Sequence, residues 1–598
     1  MMCRRRSRRF AALLLGAALL AACHATRDEP PLTDQPSQDS NPEAESRWTD
    51  KPGWATTKFA VAAANPLATD AGYQVLRAGG AAIDAAIAVQ MVLTLVEPQS
   101  SGIGGGTFVL HWNGKAVEAF DGRETAPAAA DERLFLEADG RPMSFFEAVV
   151  GGRSVGTPGT LRVLELAHRR YGKLQWRALF QPAIHLAEQG FNISPRLHAL
   201  LKADEYLKTD PVARAYFYNR DGEPHGMGTL LRNPPLASTL KAVAERGADA
   251  FYSGEMADEI VTKVRGHASN PGRLTTADLR AYRAVTREAL CSDWKRYRVC
   301  GFPPPSSGGI AVAQILGILE RVQIAQPMQD GLPTPEILHV YAEAARLAFA
   351  DRAQYVGDPA FVAAPAGSWF SLLDPAYLAE RAALIGGQAA TSVQPGVPRG
   401  TRASYAPMPP QPESGTSHLS IVDPYGNAIA MTTTIENQFG SRQMVRGLLL
   451  NNQLTDFSFV PADSKGRPVA NRVEPGKRPR SSMSPTLVFD RETGRLVMSA
   501  GASGGAMIIH YTAKTLLATL DWNLNAQQAI ALPNFGVTDG PLLLEAGRFA
   551  RSTLQALGRR GHDAREVALP SGGHALQRTP TGWFGGADPR REGTVSGE

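Results

Sequence analysis

The sequence predicts an α+β protein, and three observations carry that reading. Residues 160–290 show mainly helical patterning. From residue 416 the texture changes to short strands separated by turn signals. A hydrophobic content of 43% and a charged content of 20% are ordinary for a globular chain, and 598 residues can bury a large core.

Along the chain, Asn65-Pro66 predicts a helix start, with Asn at the cap and Pro in the first turn. Gly79-Gly80 breaks that helix, and 81–95 reads as a buried, Ala-rich one. Residues 97–106 form a Gly-rich loop leading into a strand at 107–112. The loop lacks the Gly-Lys-Ser/Thr ending of a phosphate loop and precedes no helix, so its glycines serve close backbone approach. In 161–171, Leu161, Leu164 and Leu166 sit near Ala167 and predict a helix. Around 298–313 a strand meets Pro303-Pro304-Pro305-Ser306-Ser307-Gly308-Gly309, and a helix comes next. Residues 387–414 are rich in Pro, Gly and Ser and predict an exposed linker. No internal repeat is present.

The linker ends at Gly415-Thr416, at the head of a strand. Residues 416–422 alternate polar with apolar side chains, Asp423-Pro424-Tyr425-Gly426-Asn427 is a turn, and 428–435 returns. Pairing Val422 with Ala428 also pairs Ile421 with Ile429 and Leu419 with Met431. A slip of one residue would set apolar against polar side chains. In this register Thr416 lies opposite Thr434, and Glu436 projects on the same face. If the Gly415-Thr416 bond breaks, Thr416 gains a free α-amine beside its own hydroxyl, a nucleophile with a built-in base. Other Gly-Thr pairs occur, among them those at 106, 156, 228 and 400, but the hairpin pattern after Thr416 singles it out.

The first 22 residues predict an export signal. Five arginines with no acidic residue precede an apolar run at 10–22, too short for an ordinary membrane span. Removing them takes the formal charge from +5 to zero (5 − 5), so no basic stripe argues for nucleic acid. Leu20-Ala21-Ala22-Cys23 resembles a bacterial lipobox, implying cleavage before Cys23 and lipid on its sulfur. A plain secretory signal is the alternative. His24 after the cysteine favours the outer membrane, placing the chain in the bacterial periplasm with a lipid anchor as its only membrane contact. Ser7-Arg8-Arg9-Phe10 partly resembles a twin-arginine signal. Residues 23–52 are polar and Pro-rich and read as a flexible tether. Cys291 and Cys300 flank a hairpin turn, Ser292 to Tyr297; they either form a cross-strand disulfide or remain two buried thiols. No Cys/His cluster has zinc spacing, so no metal and no cofactor are expected.

Six blocks in order resemble the γ-glutamyltransferase (glutathione hydrolase) family of N-terminal-nucleophile hydrolases, over about residues 58–590. They are Asn65-Pro66-Leu67-Ala68-Thr69, Phe120-Asp121-Gly122-Arg123-Glu124-Thr125-Ala126-Pro127, the Pro303–Gly309 stretch, the Thr416 hairpin, Leu450-Asn451-Asn452-Gln453-Leu454-Thr455-Asp456-Phe457, and Lys477-Arg478-Pro479-Arg480-Ser481-Ser482-Met483-Ser484-Pro485. The resemblance implies a four-layer αββα sandwich, the Ntn-hydrolase fold. It implies a precursor cut between Gly415 and Thr416 into a large chain, 53–415, and a small catalytic chain, 416–598, which stay associated. It assigns Thr416 as nucleophile, with Thr434 hydrogen-bonding and orienting its hydroxyl. Gly504 and Gly505, in Gly501-Ala502-Ser503-Gly504-Gly505, would supply oxyanion donors. Arg123, Ser481 and Ser482 would bind a substrate α-carboxylate, and Gln453 and Asp456, with Glu436 nearby, its α-ammonium. The substrate implied is glutathione or another γ-glutamyl peptide, with acyl transfer to water or an amino acid.

Two departures bear on the substrate. Glu436 stands where glutathione-cleaving members commonly carry Asn, and 457–480 has no Tyr or Trp to form an aromatic lid. An acylase for another acid-terminated amide, such as a glutaryl one, is the nearest alternative. A non-catalytic binding lipoprotein is a more distant one.

Overall fold

The computed structural model describes residues 46, 48–402 and 404–598. The export signal, Cys23 and most of the tether lie outside the described residues.

Two seven-stranded sheets form the centre. One runs Thr594–Gly597, Ala60–Ala63, Ser417–Val422, Ala428–Thr434, Gly106–Trp112, Val117–Gly122, Val285–Glu288. The other runs Trp54–Thr56, Gly582–Ala587, His574–Thr579, Leu496–Gly501, Thr486–Asp490, Tyr297–Gly301, Leu290–Trp294. Strands from before and after residue 415 share both sheets, so neither predicted chain is a separate folding unit.

Side-chain alternation sets the layers. Leu419, Ile421, Ile429 and Met431 leave one face of the first sheet and pack against the helices Pro66–Arg77 and Ala82–Val96. The second helix is buried on every side. The opposite faces of the two sheets meet: Phe108, Leu110 and Ala430 pack with Phe302, Leu487 and Leu576. Beyond the second sheet, Val488, Met498 and Ala500 contact the helices Gly308–Leu319, Pro335–Tyr355 and Met507–Leu520. This is the four-layer αββα sandwich.

The polar positions of the Thr416 hairpin therefore do not face water. His418 bonds Thr432 at 2.9 Å and Ser420 at 3.1 Å, and the Ser499 hydroxyl of the second sheet donates to Ser420 at 3.0 Å. Burial, then the neighbouring His574, holds the His418 pKa well below the usual imidazole range, so this inter-sheet polar layer is uncharged.

Local signals act as expected. Asn65 caps its helix by accepting from Leu67 N–H at 3.0 Å. Gly105 lies so close to the strand end that a Cβ there would collide with the Thr434 carbonyl oxygen. Cys291 pairs opposite Cys300 and a disulfide joins them, with the turn confined to Lys295 and Arg296. The described residues of 387–414 hold no helix or strand, though Ala406 and Met408 are buried against Val469. Among the described residues no helix is long and apolar enough to cross a membrane.

Candidate active site

The hairpin has the register its pattern predicts, from Ser417 opposite Thr433 to Val422 opposite Ala428. One step further, Thr416 and Thr434 meet. Across the Gly415–Thr416 peptide, the Thr416 hydroxyl donates to the carbonyl oxygen of Gly415. The Thr434 hydroxyl donates to the same oxygen at 2.7 Å. It also accepts the Glu436 N–H at 2.8 Å, which leaves its proton for the carbonyl. With the Gly415–Thr416 peptide intact, its carbonyl lies between the two hydroxyls and Thr434 serves that carbonyl; the expected bond from Thr434 to the Thr416 hydroxyl concerns the chain after cleavage.

Gly415 is held at φ +80°, and a Cβ on it would strike the Glu436 carbonyl. Glycine is therefore required on steric and conformational grounds at once. Glu436 itself stands at φ +73°, a strained value for a side-chain-bearing residue. Its carboxylate accepts from Asn452 and, at 3.4 Å, from the Ser414 N–H. Asn452 also fixes Asn437, accepting its N–H at 2.8 Å, so one amide organises the turn past the strand.

A single cavity gathers Arg123, Glu413, Ser414, Gly415, Thr416, Thr434, Glu436, Gln453, Asp456, Ser481, Ser482 and Gly505. Its free space is about 20 Å³, room for about one water. Every predicted site residue except Gly504 lines it. Gly504 sits behind, where a Cβ would come within 2.9 Å of the Tyr511 ring. Gly505, at φ +56°, lies directly against the Glu413–Ser414 peptide.

The charges are buried and paired. Arg123 binds Asp456, and also donates to the carbonyls of Pro479 at 3.1 Å and Arg480 at 2.8 Å. Its Nη1 has no hydrogen-bond partner. Gln453 donates to Asp456 at 2.7 Å. Burial raises the Asp456 pKa against the pull of Arg123. Burial, then the charge of Asp456, holds the Glu436 carboxyl well above the usual carboxylate range.

Three site residues escaped sequence reasoning: Glu413, Arg352 and Arg480. The Glu413 carboxylate accepts from Arg352 at 2.6 Å and from the Ser482 hydroxyl, and Arg480 stands 3.6 Å away. Burial alone would raise its pKa, but Arg352 and Arg480 draw it down to about 2. Arg480 falls to about 9, through burial and then the like charge of Arg352. Arg480 lay beside the flagged Ser481-Ser482 pair. Arg352 ends a helix 64 residues before Thr416 in sequence (416 − 352), and no linear pattern joins the two.

The lining offers hydroxyl, amide, carboxylate and guanidinium groups, the donor set that recognises an acid and an amine and carries acyl transfer. Among the described residues, the group of His, Cys, Asp and Glu side chains able to hold a metal ion is His339, Glu343 and His562, and none of them lines this cavity.

The chain is similar to known proteins in both sequence and fold. The gamma-glutamyltranspeptidase family model matches residues 68–598. The chain is 38% identical over 485 residues to the glutathione hydrolase proenzyme of Bacillus subtilis (strain 168), covering 79% of each. It is 35% identical over 549 residues to that of Escherichia coli (strain K12), covering 89% of this chain and 90% of the relative. The cephalosporin acylase structure from Bacillus halodurans superposes with a TM-score of 0.80 at 29% identity, over 92% of this chain and 97% of that one.

Proposed function

The chain belongs to the gamma-glutamyltranspeptidase family, and on that premise we propose that it is a self-processing enzyme that transfers γ-glutamyl groups to water or to an amino acid or peptide. The observation that carries the proposal is the meeting of two threonine hydroxyls at the Gly415 carbonyl.

The chemistry balances. Thr416 Oγ1 adds to the Gly415 carbonyl carbon, the Thr434 hydroxyl stabilises the developing oxyanion, and the proton passes to the departing Thr416 nitrogen. The peptide C–N bond breaks and an ester forms. Water hydrolyses it, leaving a Gly415 carboxylate and a free Thr416 amine. That amine then accepts the Thr416 hydroxyl proton, directly or through water, when the hydroxyl attacks a γ-glutamyl amide. The resulting ester passes its acyl group to the acceptor. The products of the cut are a large chain ending at Gly415 and a small chain starting at Thr416, each contributing strands to both sheets.

Substrate recognition reuses groups that the uncut chain occupies. Glu413 holds Arg352 and the Ser482 hydroxyl before cleavage, and withdrawal of 413–415 frees them for a substrate α-carboxylate beside Ser481 and Arg123. Asp456, oriented by Arg123 and Gln453, and Glu436 would face the α-ammonium. Gly504 and Gly505 would supply the oxyanion donors of turnover.

Denaturing gels and intact mass test the reading. Wild-type protein should run as two fragments divided at Gly415/Thr416, and Thr416→Ala as one. A γ-glutamyl adduct on the small chain should appear with donor. A single uncut, well-folded wild-type chain refutes the proposal.

A second reading is acylase action on glutaryl-type amides. The Glu436 carboxyl, whose pKa burial and then the Asp456 charge hold well above the usual carboxylate range, favours it, because a carboxyl that keeps its proton more readily is a weaker ammonium ligand. Relative turnover of γ-glutamyl and glutaryl anilides separates the two. The export reading, with lipid on Cys23 and a periplasmic, outer-membrane-anchored enzyme, remains a proposal of its own. Radiolabelled palmitate should mark wild type and spare Cys23→Ala.

A further inference from the structure

The helix Pro335–Tyr355 places His339 and Glu343 one turn apart on one face. His562, shortly after the helix Arg551–Arg559, closes on them. All three side chains are buried, and their ligand atoms lie within 4.8 Å of one another. His339 Nδ1 is 2.7 Å from His562 Nε2.

The surroundings orient these groups. His339 Nε2 lies 2.9 Å from the Gly386 carbonyl oxygen, so it carries the proton and Nδ1 turns a lone pair into the cluster. Glu343 Oε2 accepts the Ala390 N–H at 2.9 Å. Its Oε1 has no hydrogen-bond partner, and the nearest cation, Arg346 Nε, is 3.7 Å away. His562 Nδ1 is also without a partner. Buried polar atoms are ordinarily satisfied, so two orphans in one cluster require a reason. The same short loop, 386–390, aims two of the three groups, which is the outer support metal ligands receive. It is tied in turn to the His562 segment through Ala389 N–H and the Arg560 carbonyl, 2.7 Å apart.

We propose that His339, Glu343 and His562 bind one divalent ion of the zinc class. Two imidazoles and a carboxylate suit Zn²⁺, and three protein ligands leave a fourth position for water. Nitrogens on a tetrahedral zinc stand about 3.3 Å apart, so the 2.7 Å ring pair opens by roughly 0.6 Å. The ion replaces the proton shared between the rings, and His562 takes the Nδ1–H tautomer. Arg346 and Arg560 oppose a cation, and the Glu343 carboxylate offsets them.

If the chain is cut at Thr416, as proposed above, His339 and Glu343 belong to the large chain and His562 to the small one. The ion is then a cross-link between them, far from the reacting threonine in role and in ligand set.

Untagged protein stripped with EDTA, equilibrated with ZnCl₂ and desalted provides the test, with metal measured by inductively coupled plasma mass spectrometry. About one zinc per 598-residue chain is expected. Wild type and uncut Thr416→Ala should bind alike, so a failed cut and a failed metal site give different results. His562→Gln and His339→Gln should lose the zinc while circular dichroism and turnover persist. Glu343→Gln, closer in shape, should bind more weakly in a competition with a zinc-chelating dye. Zinc should raise the melting temperature of wild type saturably and leave the histidine variants unmoved. Wild type without zinc, or zinc retained by both histidine variants, overturns the proposal.

Discussion

Replacing Thr434 with Val removes one oxygen and keeps the shape of the side chain. That oxygen donates to the Gly415 carbonyl at 2.7 Å in a buried site and accepts the Glu436 N–H at 2.8 Å. As charge develops on the carbonyl oxygen during self-cleavage, the lost donor should cost about 3–4 kcal/mol, or on the order of a hundredfold to a thousandfold in rate. The orphaned Glu436 N–H should cost about 1–3 kcal/mol of stability in addition. Purified precursor, expressed cold and warmed, is followed by intact mass and denaturing gel. Thr434→Ser keeps the donor and should process within about tenfold of wild type. The stability loss and the rate loss separate, because melting reports the first alone. Thr434→Val processing as fast as wild type would refute the role of this hydroxyl, and a shared defect in Thr434→Ser would show that packing, not the donor, was responsible.

Gly415→Ala should slow self-cleavage about tenfold or more, since φ +80° is unfavourable for Ala and its Cβ meets the Glu436 carbonyl; unchanged processing defeats that argument. Glu413 has a pKa drawn down to about 2, so its contribution is full above its ordinary value of 4.5 and is lost as pH falls toward 2. In the uncut Thr416→Ala background it should be on the order of 3 kcal/mol, and Glu413→Gln should remove it, with the two unfolding midpoints converging in acid. Equal midpoints at pH 6 would be the contrary result. Glu436 behaves oppositely: its pKa is raised, so the stability of its neutral form is full below 4.5 and lost as pH rises through the raised value. Glu436→Gln should gain on the parent in melting scans as pH rises above 4.5, and parallel curves would count against a raised Glu436 pKa.

Much of the site was legible because it lies on one hairpin. Apolar alternation on a buried face admits a single register, and that register alone brings Thr416, Thr434 and Glu436 together. The Gly-rich stretch at 104–106 read as a place of close backbone approach, and Gly105 against Thr434 is such a place. Glu413, Arg352 and Arg480 were not legible, because they meet through a helix, a linker and a loop with no common period. The same holds for His562, which reaches His339 across 223 residues.

Local chemistry written in the chain sufficed for the threonine, its partner across the turn, the glycine before it and the mixture of helices and strands. Only the folded molecule decided that the polar face of the hairpin is covered by a second sheet. A period of two distinguishes the faces of a strand but not what covers them, and here Ser499 takes the place water would have had. The tertiary structure also decided which hydroxyl bonds to which carbonyl, and that a buried glutamate occupies the arginines before cleavage. Such pairings depend on distances between segments remote in sequence, and those distances exist only once the layers have packed.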